Sequence, residues 1–209
     1  MNINKKTQKM VLTAVLAAVI IVMASVPVLG YIPLGIINAT TLHIPVIIGG
    51  ILLGPKAGGI LGCVFGLTSL ITNTTTPNAT SFCFSPFIQV GEFGGNIWSL
   101  VICLVPRILI GIVAYWVYRG FKWLLKNKGD SINMIAAGVA GSMTNTLLVM
   151  NLIYLFFGES YAAATGRAYE VLYAAILGII ATSGLAEAIV AAILTTAICK
   201  VMRKFLKML

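Results

Sequence analysis

The chain has 209 residues, 59% of them hydrophobic and 9% charged, with a mean hydropathy of +1.03 and a formal net charge of +9. A soluble domain carries roughly a quarter charged residues, so composition excludes one and points to an all-α integral membrane protein with room for about five to seven spans. Four cysteines (Cys63, Cys83, Cys103 and Cys199) show no CxxC spacing and three lie in apolar runs, which supports neither a metal site nor a disulfide framework.

Lys5, Lys6 and Lys9 precede an apolar run over 10–29. A charged start and apolar centre also fit a signal peptide, but the run is long for one and the rest of the chain is equally membranous, so 10–29 is expected as the first span. Ala14 and Ala18 stand four apart, a spacing at which a second helix can approach closely, either within this protein or from a partner. An uncharged linker comes next, and the second and third spans are expected at 36–54 and 57–72, separated by Gly54-Pro55-Lys56. Gly58, Gly62 and Gly66 repeat every four residues and leave one side of the third span bare for backbone packing.

Residues 73–96 are polar and turn-rich, a long loop with no regular structure expected; such loops are often functional. The fourth, fifth and sixth spans are expected at 97–118, 132–157 and 170–198. With six spans, twelve of the fourteen basic residues fall on one side: the N-terminal three, Lys56, the 119–128 loop and the tail. By the positive-inside rule both termini are cytoplasmic, with Cys83 and the 73–96 loop outside. Positive charge so placed reads as membrane orientation rather than a nucleic-acid surface.

In that topology two polar groups return to the outer side and face each other. Asn38, Thr40, Thr41 and the only histidine, His43, head the second span; Thr68, Ser69 and Asn73 close the third. Arg107 lies ~15 Å into the fourth span, where a charge costs several kcal/mol unless it faces the protein interior, a cavity or an acid. Either it binds an anion, for which its planar fork is suited, or it pairs with Glu187 of the sixth span, which lies somewhat deeper. Asn145 is also near mid-depth and needs a neighbouring helix or a ligand for its amide. No catalytic constellation, metal cluster or phosphate loop is present, so the chain carries no ATPase motif of its own.

Taken together, TLHIPVIIGGILLGPKAGGILG at 41–62, PRILIG at 106–111, GSMTNTLLVM at 141–150 and the Ala14-xxx-Ala18 element resemble the substrate-binding (S) component of energy-coupling factor (ECF) vitamin transporters. The resemblance covers nearly the whole chain, and 41–62 and 141–150 look most like the pantothenate-type members; riboflavin, pyridoxine and thiamine-precursor members share the scaffold. It implies a six-helix bundle in a bacterial cell membrane that captures a vitamin from outside under a lid formed by the linker after the first span. Such a subunit needs no cofactor. It docks through Ala14 and Ala18 on a transmembrane coupling subunit driven by two ATPase subunits. A pantothenate carboxylate would suit Arg107, with Asn38, Thr41, His43, Ser69, Asn73 and Asn145 as the polar lining. A stand-alone carrier or a ligand-free scaffold are the alternatives; the inverted repeats and broken helices that would favour a carrier are not evident.

Overall fold

A computed structural model describes residues 4–26, 30–34, 37–126 and 128–208, with the backbone only for 31–34, 37–39 and 205–208. The elements run α1 (Lys5–Ser25), β1 (Tyr31–Leu34), β2 (Ile37–Thr40), α2 (His43–Leu53), α3 (Pro55–Thr75), β3 (Gln89–Val90), β4 (Phe93–Gly94), α4 (Ile97–Leu124), α5 (Asp130–Ala164), α6 (Tyr169–Ile179) and α7 (Leu185–Met208). A π turn over Ile180–Gly184 joins α6 and α7 into one continuous span. Five of these segments are long and apolar enough to cross a membrane and α2 is a shorter apolar helix, so the protein is the expected all-α membrane bundle of six helices.

The second span is shorter than the 36–54 read from the sequence. Residues 37–40 form β2, paired antiparallel with β1 in the register Tyr31–Thr40 to Leu34–Ile37, and the helix begins only at His43. Eleven residues give about 16 Å, roughly half the hydrocarbon thickness. So short a helix is tolerated because protein surrounds it. Every residue of α2 except Leu52 is buried, as suits a helix that is apolar all round. Gly54 turns the chain at φ 109°, a conformation glycine adopts without penalty, and Pro55 starts α3 at its first position.

The glycine stripe of α3 packs on α4. A Cβ at Gly58 would come within 2.9 Å of the Gly111 backbone, and one at Gly66 within 2.8 Å of Leu104. At Gly62 the obstacle is the main chain of Arg107 itself, so this glycine sets how closely Arg107 is drawn to α3. By contrast α1 is lightly attached: only Leu16 and Ile20 are buried, Ala17 is half-buried against the core, and Ala14 and Ala18 face outward.

Residues 76–96 are not the unstructured loop expected. A 3₁₀ turn over Ser81–Cys83 drives Phe82 and Cys83 into full burial, and Phe82 stacks near Phe93 and Phe157 with ring centroids 5.7 and 5.8 Å away. Asn96 caps α4 in a reciprocal box with Ser99, whose hydroxyl also donates to the Phe82 carbonyl at 2.7 Å. Two apolar clusters result. One lies at the basic end among α1–α5 and α7 and includes Leu61, Phe65, Ile110 and Ala191; the other lies under the 76–96 segment and includes Phe82, Ile102, Val149 and Ile176.

Candidate functional site

Between those clusters, at mid-bundle, the helices carry polar side chains instead. Thr41, His43, Ser69, Arg107, Ser142, Asn145 and Thr146 are all buried, and Glu187 is half-buried. On α4, α5 and the α6–α7 span they fall between residues of the inner and outer clusters, as Arg107 does between Ile110 and Ile102. They form one polar stratum. Apolar packing above and below keeps water from reaching it, and buried polar atoms then need partners from within.

Glu187 is the junction of this layer. One carboxylate oxygen accepts the Thr40 N–H at 2.8 Å and the other accepts the Thr146 hydroxyl at 3.3 Å. The acid thereby joins three parts of the chain: the end of the β1–β2 hairpin, the middle of α5, and α7 just beyond the π turn. A π turn inserts one residue into the helical repeat and so rotates the side chains of α7 relative to those of α6. Its glycine, Gly184, leaves room for Thr146: a Cβ there would lie 3.0 Å from the Thr146 methyl. Arg107 lies close enough to act on Glu187 through its charge. Its Nη1 donates to the Ile102 carbonyl at 2.6 Å, and its guanidinium carbon sits 5.1 Å from the Phe84 ring centroid and 5.7 Å from that of Phe65. The two rings sandwich a planar cation between the 76–96 segment and α3, an arrangement favoured by the ring quadrupoles.

The expected site residues divide into two groups. Thr41 is buried with its N–H donated to the Gly30 carbonyl at 3.1 Å, and His43 opens α2 beside the Thr40 backbone. These join the Glu187–Thr146 pair. Ser69 and Asn73 instead bind each other and the outer segment: Asn73 Nδ2 donates to the Ser69 carbonyl at 2.8 Å, and Asn73 Oδ1 accepts the Ser81 hydroxyl at 2.7 Å. Asn73 therefore anchors the 76–96 segment. The side chain of Asn38 lies outside the described residues; its backbone pairs with Pro33 in the hairpin. Phe65, Phe84, Thr146 and the Thr40 N–H were not anticipated. Thr146 adjoins Asn145 in the TNT motif and was within reach of the sequence. A main-chain N–H and a ring stacked from a distant loop leave no such signal.

Some buried polar atoms of the stratum have no hydrogen-bond partner among the described residues: both ring nitrogens of His43, the Asn145 carbonyl oxygen and the Ser142 hydroxyl. Similar atoms of Asn133, Thr195 and Thr196 lie nearer the basic end. An orphaned amide or imidazole inside a protein costs about 1–3 kcal/mol. The stratum concentrates donors and acceptors beside an arginine. No group of three or more His, Cys, Asp or Glu able to hold a metal occurs among the described residues.

Comparison with known proteins agrees with this architecture. The family described as "ECF transporter, substrate-specific component" matches residues 8–199. The chain is 43% identical to the pantothenic acid transporter PanT of Lactococcus lactis subsp. cremoris over 80% of its own length and 79% of the relative's. It is 29% identical to the pantothenate transporter PanT of Leuconostoc mesenteroides subsp. mesenteroides, covering 95% and 94% of the two chains. With nearly its whole length inside the family match, this chain belongs to the substrate-specific components of ECF transporters, multi-pass substrate-binding subunits of the bacterial membrane.

Proposed function

We propose that the protein captures pantothenate from outside the cell in the mid-bundle polar stratum and delivers it inward as the S component of an ECF importer. In this reading Arg107 meets the carboxylate, while His43, Ser142 and Asn145 meet the hydroxyls and amide. The β1–β2 hairpin closes over the ligand, with Thr41 and Asn38 carried on or beside it. Both termini are cytoplasmic. Ala14 and Ala18 dock on a transmembrane coupling subunit, and two separate ATPase subunits hydrolyse the nucleotide.

The observation that carries the reading is the set of orphaned donors and acceptors lying at the same level as a buried arginine, in a chain whose relatives are named for pantothenate. A pantothenate molecule supplies one anion, two hydroxyls and one amide, which complements that set. The outward exposure of Ala14 and Ala18 favours docking over internal packing, since Ala17 is the alanine that meets the core.

The test is isothermal titration of the purified full chain with pantothenate and with its alcohol analogue, in which CH₂OH replaces the carboxylate. Tight binding of pantothenate and at least tenfold weaker binding of the alcohol support the reading. Equal affinity for the two, or no binding of either with another vitamin bound tightly, overturns it. Uptake into vesicles should require the coupling and ATPase subunits; uptake by this chain alone would make it a carrier.

A further inference from the structure

A cleft of about 640 Å³ opens at the basic end of the bundle, remote from the polar stratum. Ile51 of α2 contributes apolar lining, and the end of α4 with the turn after it supplies the rest. Tyr115, Arg119 and Lys122 recur at spacings of four and three, so they share one face of that helix, and Lys126, in the turn after it, lines the same concavity. The carboxylate at this end, Asp130, is already matched. Arg203 Nη1 reaches it at 2.6 Å, the Tyr118 hydroxyl donates to it at 2.7 Å, and the Arg203 guanidinium covers the Tyr118 ring at 4.9 Å. Four cations therefore stand against one acid. Arg119 commits one of its five N–H donors, to the Tyr115 hydroxyl at 2.8 Å, which holds the fork in place.

Two features separate this cluster from the ordinary solvated lysines of a cytoplasmic end. Lys5, Lys6 and Lys9 are exposed along the start of α1. Lys126, exposed as they are, lines the cleft from φ 48°, the one non-glycine residue in the left-handed region among the described residues. Helices usually place glycine there, and Gly129, three residues on, and Gly166, after α5, occupy that region. A long cationic side chain occupies a backbone position that favours glycine. Second, Trp116 and Trp123 are 60% and 82% exposed and stand seven residues apart, on the same flank of α4 and about 10 Å along its axis. Exposed tryptophans mark the membrane–water interface. The cleft therefore sits at headgroup level, with an apolar aromatic flank leading from it toward the bilayer interior.

We infer that this cleft binds the headgroup of an anionic phospholipid of the phosphatidylglycerol or cardiolipin type. The phosphodiester lies among Arg119, Lys122 and Lys126, and the acyl chains run past Trp123 toward Trp116. Charge complementarity selects the phosphate, as in basic pockets between membrane helices generally. The aromatic flank selects a lipid over a soluble phosphate. The site is independent of vitamin capture, since Lys126 lies about 28 Å from Arg107 along α4.

The experiment uses the full chain in mild detergent and native mass spectrometry of retained lipid, with phosphatidylglycerol titrated against phosphatidylcholine, and inorganic phosphate as a separate competitor. Phosphatidylglycerol should bind at least tenfold more tightly. R119Q/K122Q/K126G should reduce it to the phosphatidylcholine level, whereas Lys5, Lys6 and Lys9 all changed to Gln should leave the preference intact. K126G alone relaxes the backbone while removing one charge, so it should fold at least as well as the parent, lose lipid several-fold and keep pantothenate affinity. Equal loss in the α1 variant would show diffuse charge and overturn the site. Displacement of lipid by millimolar phosphate would make it a free-phosphate site. Unchanged lipid retention with failed assembly onto the coupling subunit would make the face a protein contact instead.

Discussion

Glu187 is the residue whose replacement tests the geometry most sharply, because its two roles predict different patterns of damage. Its hydrogen bond from the Thr40 N–H, at 2.8 Å, ties the end of the β1–β2 hairpin to α7. A bond from a backbone N–H to a carboxylate contributes about 1.5–3 kcal/mol. The 3.3 Å bond from the Thr146 hydroxyl contributes less. If the hairpin closes over bound vitamin, losing the first bond should speed dissociation by roughly ten- to a hundred-fold. Glu187→Ala removes both acceptors and should show that full effect. Glu187→Gln keeps one carbonyl oxygen in place for Thr40 and loses only the charge assistance, about 1 kcal/mol, or roughly fivefold. A counter-ion to Arg107 behaves otherwise: Gln and Ala both abolish the charge, so both should damage binding and stability alike. The assay is stopped-flow displacement of bound pantothenate, with melting temperature measured alongside. Unchanged dissociation from the Ala variant, or equal losses from Gln and Ala, would refute the latch.

The same contacts set further expectations. Arg107→Gln should weaken pantothenate binding by roughly ten- to a hundred-fold in isothermal titration, with Arg107→Lys recovering part of it because lysine lacks the planar fork. Ala14→Trp or Ala18→Trp should abolish uptake by the assembled transporter while leaving vitamin affinity within about twofold, since both side chains face outward and neither touches the stratum. Cys83 should resist thiol reagents from either side, because it is wholly buried and burial pushes its thiol up from its ordinary pKa. Orientation is better read from exposed Glu92→Cys and Lys56→Cys. An impermeant maleimide should label the first in whole cells and the second only in inverted vesicles, and the reverse pattern would invert the topology.

What the sequence made legible was whatever the bilayer dictates. Apolar runs long enough to cross had to be helices, Gly54-Pro55 had to turn the chain, and the glycines of α3 had to face a close neighbour. Arg107 and Asn145 stood out because polar atoms at that depth are expensive, and the structure does bury both, together with His43, which was expected at the outer head of the second span. The second span misled for a physical reason. Residues 37–40 include Ile37 and Ala39 and carry no charge, so hydropathy joined them to α2. A two-stranded hairpin costs nothing in hydropathy and is visible only through its pairing. Asn73 misled for another. A polar residue at a helix end serves equally well to hold a loop, and Ser81 supplies the partner that takes it. Phe84 over Arg107 was unreadable, because nothing local marks which loop ring will meet a buried cation.

The position of the stratum bears on how a ligand reaches it. Apolar packing lies on both sides, so something must move. The 76–96 segment is a poor choice: Phe82 is wedged between Phe93 and Phe157, Ser99 bonds its carbonyl, and Asn73 holds Ser81. Displacing it would expose a buried aromatic and break several hydrogen bonds. The β1–β2 hairpin is held to α7 by the Thr40–Glu187 bond, and it comes directly after α1, the helix with the fewest buried residues among the long spans. Opening there breaks one charge-assisted bond and uncovers His43 and Thr41 together. With docking as proposed, the same connection lets capture and release be governed from different faces. A partner docked on Ala14 and Ala18, as proposed, would move a loosely anchored helix, and the strand pair that follows it along the chain is the one whose last N–H Glu187 holds.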